Sequence, residues 1–287
     1  MYGPNRLSRR ELLRLLACGV AGGTLLPRIA EAGTLHMNPS RIERIGLQLY
    51  TVRAALAKDI EGTIAAVAKA GVTELEFFDM HGRTVAWWRD LMRAHGLTAP
   101  ATHAGLPATD EGWGPIFERA HGMGHQLVIV PWVGNDYRGS RASWQRLAER
   151  LNTAGRLAQE AGLQFGYHNH DFEFAPVDGV TGYDILAESS DPALVKLEVD
   201  LYWAVKGGRD PLSIVSRWPG RVVACHVKDA GPPPERAMRD VGAGTIDFPR
   251  ILAAGRAAGL RHWFIEHDNP ADPVASVTAS AAVMKGY

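Results

Sequence analysis

From Ile45 to the C-terminus, eight short runs rich in β-branched and aromatic residues alternate with amphipathic helical patterns. This alternation limits the chain to folds built on a parallel sheet. The runs are Ile45–Tyr50, Glu74–Phe77, Thr98–Thr102, Gln126–Val130, Gln164–His168, Val195–Asp200, Val222–His226 and His262–Glu266. Helical patterns fall between and after them, over Ile60–Ala70, Val85–His95, Pro115–Gly122, Ser140–Ala161, Tyr183–Ser189, from Asp210-Pro211 onward, Phe248–Ala258 and Val274–Met284. Gly71, Gly96, Gly162 and Gly259 close four of these helices just before the next run, as expected where a helix ends in left-handed backbone. Eight of each predicts a single α/β domain, a (β/α)8 TIM barrel, over residues 45–287, with 33–44 as a linker. An open doubly wound sheet would carry a glycine-rich phosphate turn after its first strand. Here that turn reads Gln48-Leu49-Tyr50-Thr51-Val52-Arg53 and contains no glycine.

The first 32 residues read as an export signal rather than as part of the fold. Ser8-Arg9-Arg10-Glu11-Leu12-Leu13 resembles a twin-arginine motif, Leu15–Leu26 is a modest apolar stretch, and Ala30-Glu31-Ala32 offers a small-x-small cleavage site. The expected destination is the periplasm or the exterior. Leu15-Leu16-Ala17-Cys18 is a poorer match to a lipid-anchor site at Cys18. Cleavage would leave Cys225 as the lone cysteine, so no internal disulfide is expected. It would also turn a formal charge of zero into a net −3, which argues against a nucleic-acid partner. No run is apolar enough to span a membrane.

Four of the runs stop on a side chain able to bind metal or move protons: His168, Asp200, His226 and Glu266. On consecutive barrel strands these side chains would meet at the C-terminal mouth, where barrel enzymes keep their chemistry. Two imidazoles and two carboxylates suit one divalent ion, Mn, Co, Fe, Mg or Zn. Such an ion polarises a sugar carbonyl while a carboxylate removes the neighbouring proton. Glu266 is the expected acid/base as well as a ligand. Strand alternation puts His170 on the face of His168 and Lys228 on that of His226. Lys228 is a candidate for steadying a developing oxyanion, and His168 for a catalytic role. His103, His170, Trp203, Gln48 and Glu76 are candidates for substrate contact, with Tyr202 and Trp132 suited to stacking on a sugar ring. Glu198, one layer deeper than Asp200, reads as a buried partner of Lys196 or a support for a ligand. The segments Asn169–Gly182 and Asp229–Asp240 are candidate lids or substrate loops.

These residues resemble a known family. Tyr167-His168-Asn169-His170-Asp171-Phe172-Glu173-Phe174, Leu197-Glu198-Val199-Asp200-Leu201-Tyr202-Trp203, His226-Val227-Lys228-Asp229, Val241-Gly242-Ala243-Gly244-Thr245-Ile246-Asp247-Phe248 and Phe264-Ile265-Glu266 are similar to segments of the xylose-isomerase-like TIM-barrel superfamily of sugar isomerases and epimerases. The resemblance implies a metal held at the ends of strands five to eight, typically by Glu, Asp, His and Glu. Asp200, His226 and Glu266 match that pattern, while His168 stands where the epimerases carry a glutamate. His-x-His at that point is closer to the inosose dehydratases and 3-keto-glycoside lyases of the superfamily.

The leading expectation is therefore a metal-dependent sugar isomerase or epimerase that forms an enediolate from an unphosphorylated carbohydrate. A lyase that loses a β-substituent is the first alternative, and a non-catalytic periplasmic sugar-binding protein the second. Either could be an oligomer.

Overall fold

The computed structural model describes Ile42 and residues 44–287. The proposed export signal, its lipid-anchor alternative at Cys18 and most of the linker lie outside the described residues. Eight parallel strands close into a barrel in sequential order: β1 Gly46–Gln48, β2 Glu74–Phe77, β3 Thr98–His103, β4 Leu127–Val130, β5 Gln164–His168, β6 Val195–Asp200, β7 Val222–Val227 and β8 His262–Ile265, with β8 pairing back onto β1. This is the expected TIM barrel. Among the described residues, no helix is long and apolar enough to cross a membrane.

The helices between the strands begin where a polar side chain can take the free backbone N–H groups. Asp59 accepts from Gly62 N before Ile60–Ala70, Thr84 from Trp87 N before Val85–Ala94, and Ser140 from Ser143 N before Arg141–Glu160. Gly71 ends the first of these at φ 100°, a conformation that a Cβ would disfavour. The buried faces of the helices cover the outer surface of the barrel, burying Trp88, Trp113, Trp144, Leu147 and Phe248.

Three differences from the sequence expectation have a clear local reason. Strand β1 stops at Gln48, whose side-chain oxygen accepts from Tyr50 N at 3.1 Å and turns the chain into a 3-10 helix, Leu49–Val52. Strand β3 runs one residue further, to His103, pairing with Ile129 of β4. A helix absent from the sequence reading, Leu201–Lys206, starts directly after β6, because Asp200 Oδ1 accepts from Trp203 N at 2.8 Å.

Inward-facing residues fill the barrel in layers. Near the N-terminal end, Glu74 pairs with His262 at 2.8 Å. Ala101, Leu127, Ile129, Ala224 and Phe264 form an apolar cluster. Two residues onward along the strands toward the C-terminal ends, the inward positions become polar: Gln48, Glu76, His103, His168, Glu198 and His226. The long segments after β5 and β7 each fold back as a two-stranded ribbon, Pro176–Val177 with Val180–Thr181 and Asp229–Ala230 with Met238–Arg239.

Candidate active site

Asp200, His226 and Glu266 come together at the C-terminal ends of β6, β7 and β8, with donor atoms all within 4.8 Å of one another. His226 is fully buried, and its Nδ1 lies 2.6 Å from Glu266 Oε2 and 3.8 Å from Asp200 Oδ2. Asn169 clamps the strand end that carries Asp200: its side-chain oxygen accepts from Asp200 N at 3.1 Å and its amide donates to Asp200 O at 3.4 Å. Lys228 follows on the same face of β7. Its ammonium, 2% exposed, is 2.9 Å from Asp200 Oδ2, 2.6 Å from Glu266 Oε2 and 2.8 Å from Asp268 Oδ1.

The fields follow from this packing. Burial drives the Asp200 carboxyl up, and Lys228 and His226 hold the rise to about 6. Burial acts on Glu266 too, but Lys228 and His226 outweigh it and hold that carboxyl well below its ordinary range. Lys228 stays charged, since its three carboxylates overcome the cost of burial.

A second set of donors lies beneath. His103 Nε2, His168, Glu198 and His226 bring four ligand atoms within 4.8 Å of one another. Glu198 Oε2 is the hub, 2.9 Å from His103 Nε2, 3.2 Å from His168 Nδ1 and 3.2 Å from His226 Nε2. Glu76 Oε2 lies 2.6 Å from His226 Nε2 and accepts from Gln48 Nε2 at 2.7 Å. Burial lowers the His168 imidazole, with the His226 charge adding to the effect, so it is held neutral. Burial also works against charge on His226, yet Glu198, Glu266 and Glu76 raise it well above the ordinary histidine value.

Above both sets opens a cavity of about 450 Å³, walled by Tyr50, Phe78 and Trp132 and floored by His103, His168, Lys228, Glu266 and Asp268. His170 also faces it. Burial and then Lys228 push its imidazole down to about 3, and its Nδ1 has no hydrogen-bond partner. Glu173 fixes the turn that presents His170, accepting from His170 N and from the Tyr167 hydroxyl, both at 2.8 Å. The buried Glu173 carboxyl is itself pushed up to about 8 by desolvation.

Residues 64–286 match the family model described as the xylose isomerase-like TIM barrel. The chain belongs to the xylose isomerase-like TIM barrel family. Among curated relatives it is 33% identical over 122 residues to an inosose dehydratase of Bacillus anthracis, an alignment covering 38% of this chain and 40% of that protein. The chain thus spans about two fifths of the length of the first curated relatives it matches. Among solved structures, a sugar phosphate isomerase/epimerase from Parabacteroides distasonis superposes with a TM-score of 0.73 at 24% identity, covering 83% of this chain and 92% of that one. A zinc-bound IolI protein superposes with a TM-score of 0.65 at 14% identity, covering 84% and 96%.

Within this family member, the donor set fits a divalent ion. Asp200, His226 and Glu266 supply mixed oxygen and nitrogen ligands, and the buried Asp200 Oδ2 accepts no hydrogen bond, although Lys228 Nζ is 2.9 Å away. The fourth expected ligand, His168, borders this set rather than completing it. Its Nε2 is 3.9 Å from Asp200 Oδ2, while its Nδ1 is turned to Glu198.

Several other expectations need correction. Gln48 and Glu76 are fully buried beneath His226 and His103 and line no part of the cavity, so they are supports rather than substrate contacts. Glu198 does not pair with Lys196, whose ammonium bonds Pro192 O instead. Trp203 stands behind the cavity wall, 5.4 Å from the His170 ring, and Tyr202 is buried. Trp132 is 54% exposed on the rim. The sequence reading missed Asp268, Tyr50 and Phe78. Asp268 was reachable, since it lies two residues past Glu266 on the same strand end.

Proposed function

We propose that this barrel enolises an unphosphorylated cyclic keto-sugar or keto-polyol, and that enolisation ends in loss of a β-substituent. The observation that carries this reading is the convergence of Asp200, His226 and Glu266 at the strand ends, with Glu266 and Lys228 lining the cavity and Asp200 and His226 buried beside them. A divalent ion bound by these three would act as a Lewis acid on the substrate carbonyl.

In this reading Glu266, ionised at neutral pH, accepts the proton α to the carbonyl. The C–H electron pair becomes the new C=C bond and the β C–O bond breaks. The departing oxygen takes the proton that Glu266 received and leaves as water or an alcohol, returning Glu266 to its carboxylate form. Lys228, the one cation on the cavity floor, steadies the charge that develops on the carbonyl oxygen. His170 offers its unpartnered nitrogen to a substrate oxygen, and Tyr50, Phe78 and Trp132 pack on the apolar face of a ring.

Two features favour elimination over the isomerisation that the sequence placed first. Epimerisation needs a second proton-transfer group opposite Glu266, and at that point His168 has its nitrogens turned to Glu198 and Asp200. The inosose dehydratase relatives point the same way. A phosphorylated substrate fits poorly, because among the described residues no arginine lines the cavity and Lys228 is already matched by Asp200, Glu266 and Asp268. Metal-loaded protein should be incubated with an inosose and with an aryl 3-keto-glucoside and followed by NMR. The expected products are the enone with released water or phenol. An isomeric ketose as the sole product would replace this reading with isomerisation.

A further inference from the structure

The polar layer beneath the carboxylate site is built like a ligand sphere in its own right. His103 from β3, His168 from β5, Glu198 from β6 and His226 from β7 point to one spot inside the barrel. Around a four-coordinate ion with bonds near 2.0–2.1 Å, neighbouring ligand atoms stand about 3.3 Å apart. Glu198 Oε2 stands 2.9, 3.2 and 3.2 Å from the three imidazole nitrogens. All four ligand atoms lie within 4.8 Å of one another.

Charge points the same way. Glu76 and Glu198 are fully buried, and each keeps one carboxylate oxygen without a hydrogen-bond partner. Among the described residues no lysine or arginine pairs with either of them; Lys228 is ion-paired with Asp200, Glu266 and Asp268. One dication beside Glu198 would supply the positive charge that no described lysine or arginine brings to these carboxylates.

We propose that His103, His168, Glu198 and His226 form a second divalent-cation site, nitrogen-rich and separate from the Asp200–Glu266 pair. The two sites share one imidazole, which with both ions bound would bridge them as an imidazolate, its ring proton released to solvent. His226 turns Nε2 to the lower set and Nδ1 to Glu266 and Asp200. A nitrogen-rich set of this kind selects borderline ions such as Zn²⁺ or Co²⁺, whereas Mg²⁺ prefers oxygen ligands. The proposal does not depend on the reaction, since it concerns binding alone.

The test is to strip the full chain with a chelator, titrate it with Co²⁺, and read bound metal per chain by elemental analysis and the visible ligand-field bands. The parent should bind two ions. The Asp200→Asn/Glu266→Gln variant should keep one, with the bands of a nitrogen-rich four-coordinate site. Adding His103→Asn should remove that ion. Loss of all Co²⁺ from the double variant, with its metal-free melting curve still cooperative, would overturn the proposal. Should the double variant not fold, His103→Asn alone decides, because its side chain is 11% exposed at the cavity edge. Stoichiometry falling from two to one supports the second site, and unchanged stoichiometry refutes it.

Discussion

Lys228→Met tests whether the ammonium is what allows Asp200 and Glu266 to coexist in the metal-free barrel. Methionine keeps most of the stem's packing volume, so the loss is electrostatic. The substitution leaves Asp200 and Glu266 buried without their cation, at contacts of 2.9 and 2.6 Å. Asp268, 22% exposed, retains water and adds little. Breaking a buried pair by removing one partner costs about 3–5 kcal/mol, so a loss near 4 kcal/mol is expected for the metal-free variant at pH 7.5 by urea denaturation. Asp200, already pushed up to about 6 by burial, would rise further without the ammonium. A carboxyl raised above its unfolded value costs stability when ionised and is relieved on protonation. The variant's deficit should therefore shrink from pH 7.5 to pH 5.5. Zn²⁺ should recover much of it, because a dication on the same oxygens replaces the lost charge. A metal-free variant within about 0.5 kcal/mol of the parent at pH 7.5 would refute the reasoning.

Two further predictions concern the scaffold. Asp229 Oδ2 accepts from Gly242 N and Gly244 N at 3.0 and 2.9 Å, and Oδ1 from Ala230 N and Ile246 N at 2.8 and 3.1 Å. Asp229→Asn turns one of those oxygens into a donor facing two N–H groups and should cost about 3 kcal/mol in denaturant unfolding; a loss under about 1 kcal/mol would contradict this. His125, which does not line the cavity, is pushed from 6.5 down to about 4 by burial. Its contribution is full above pH 6.5 and is lost as pH falls toward 4, by up to about 1.4 kcal/mol per pH unit. His125→Gln should flatten the stability–pH curve over that window, and an unchanged slope would show that another group sets it.

The sequence carried the barrel and most of the upper site, because both follow from short-range pattern. Runs that end on His168, Asp200, His226 and Glu266 are visible one strand at a time, and alternation correctly turned His170 and Lys228 to the same faces. The lower set was not legible in this way. Glu198 shares a strand face with both Lys196 and Asp200, and only barrel closure decides that it meets His103 and His226, which lie on strands far apart in sequence. Gln48 and Glu76 were placed at strand ends correctly but too near the surface, since the early turn after Gln48 is made by its own side chain. The segment Val241–Ile246 carries part of the family resemblance in sequence, with no structural role attached to it. Its backbone wraps the Asp229 carboxylate, and a Cβ on Gly244 would collide with that group.

The central claim is α-proton removal by Glu266 followed by loss of a β-substituent. The most direct measurement is to incubate metal-loaded parent and Glu266→Gln with an aryl 3-keto-glucoside in D₂O, following phenol release and the C2 proton by NMR. The account predicts phenol and enone from the parent, with release slowed by several orders of magnitude in Glu266→Gln at unchanged fold. Glu266→Gln releasing phenol within tenfold of the parent, or a parent that binds the glycoside yet neither exchanges the C2 proton nor releases phenol, would contradict it.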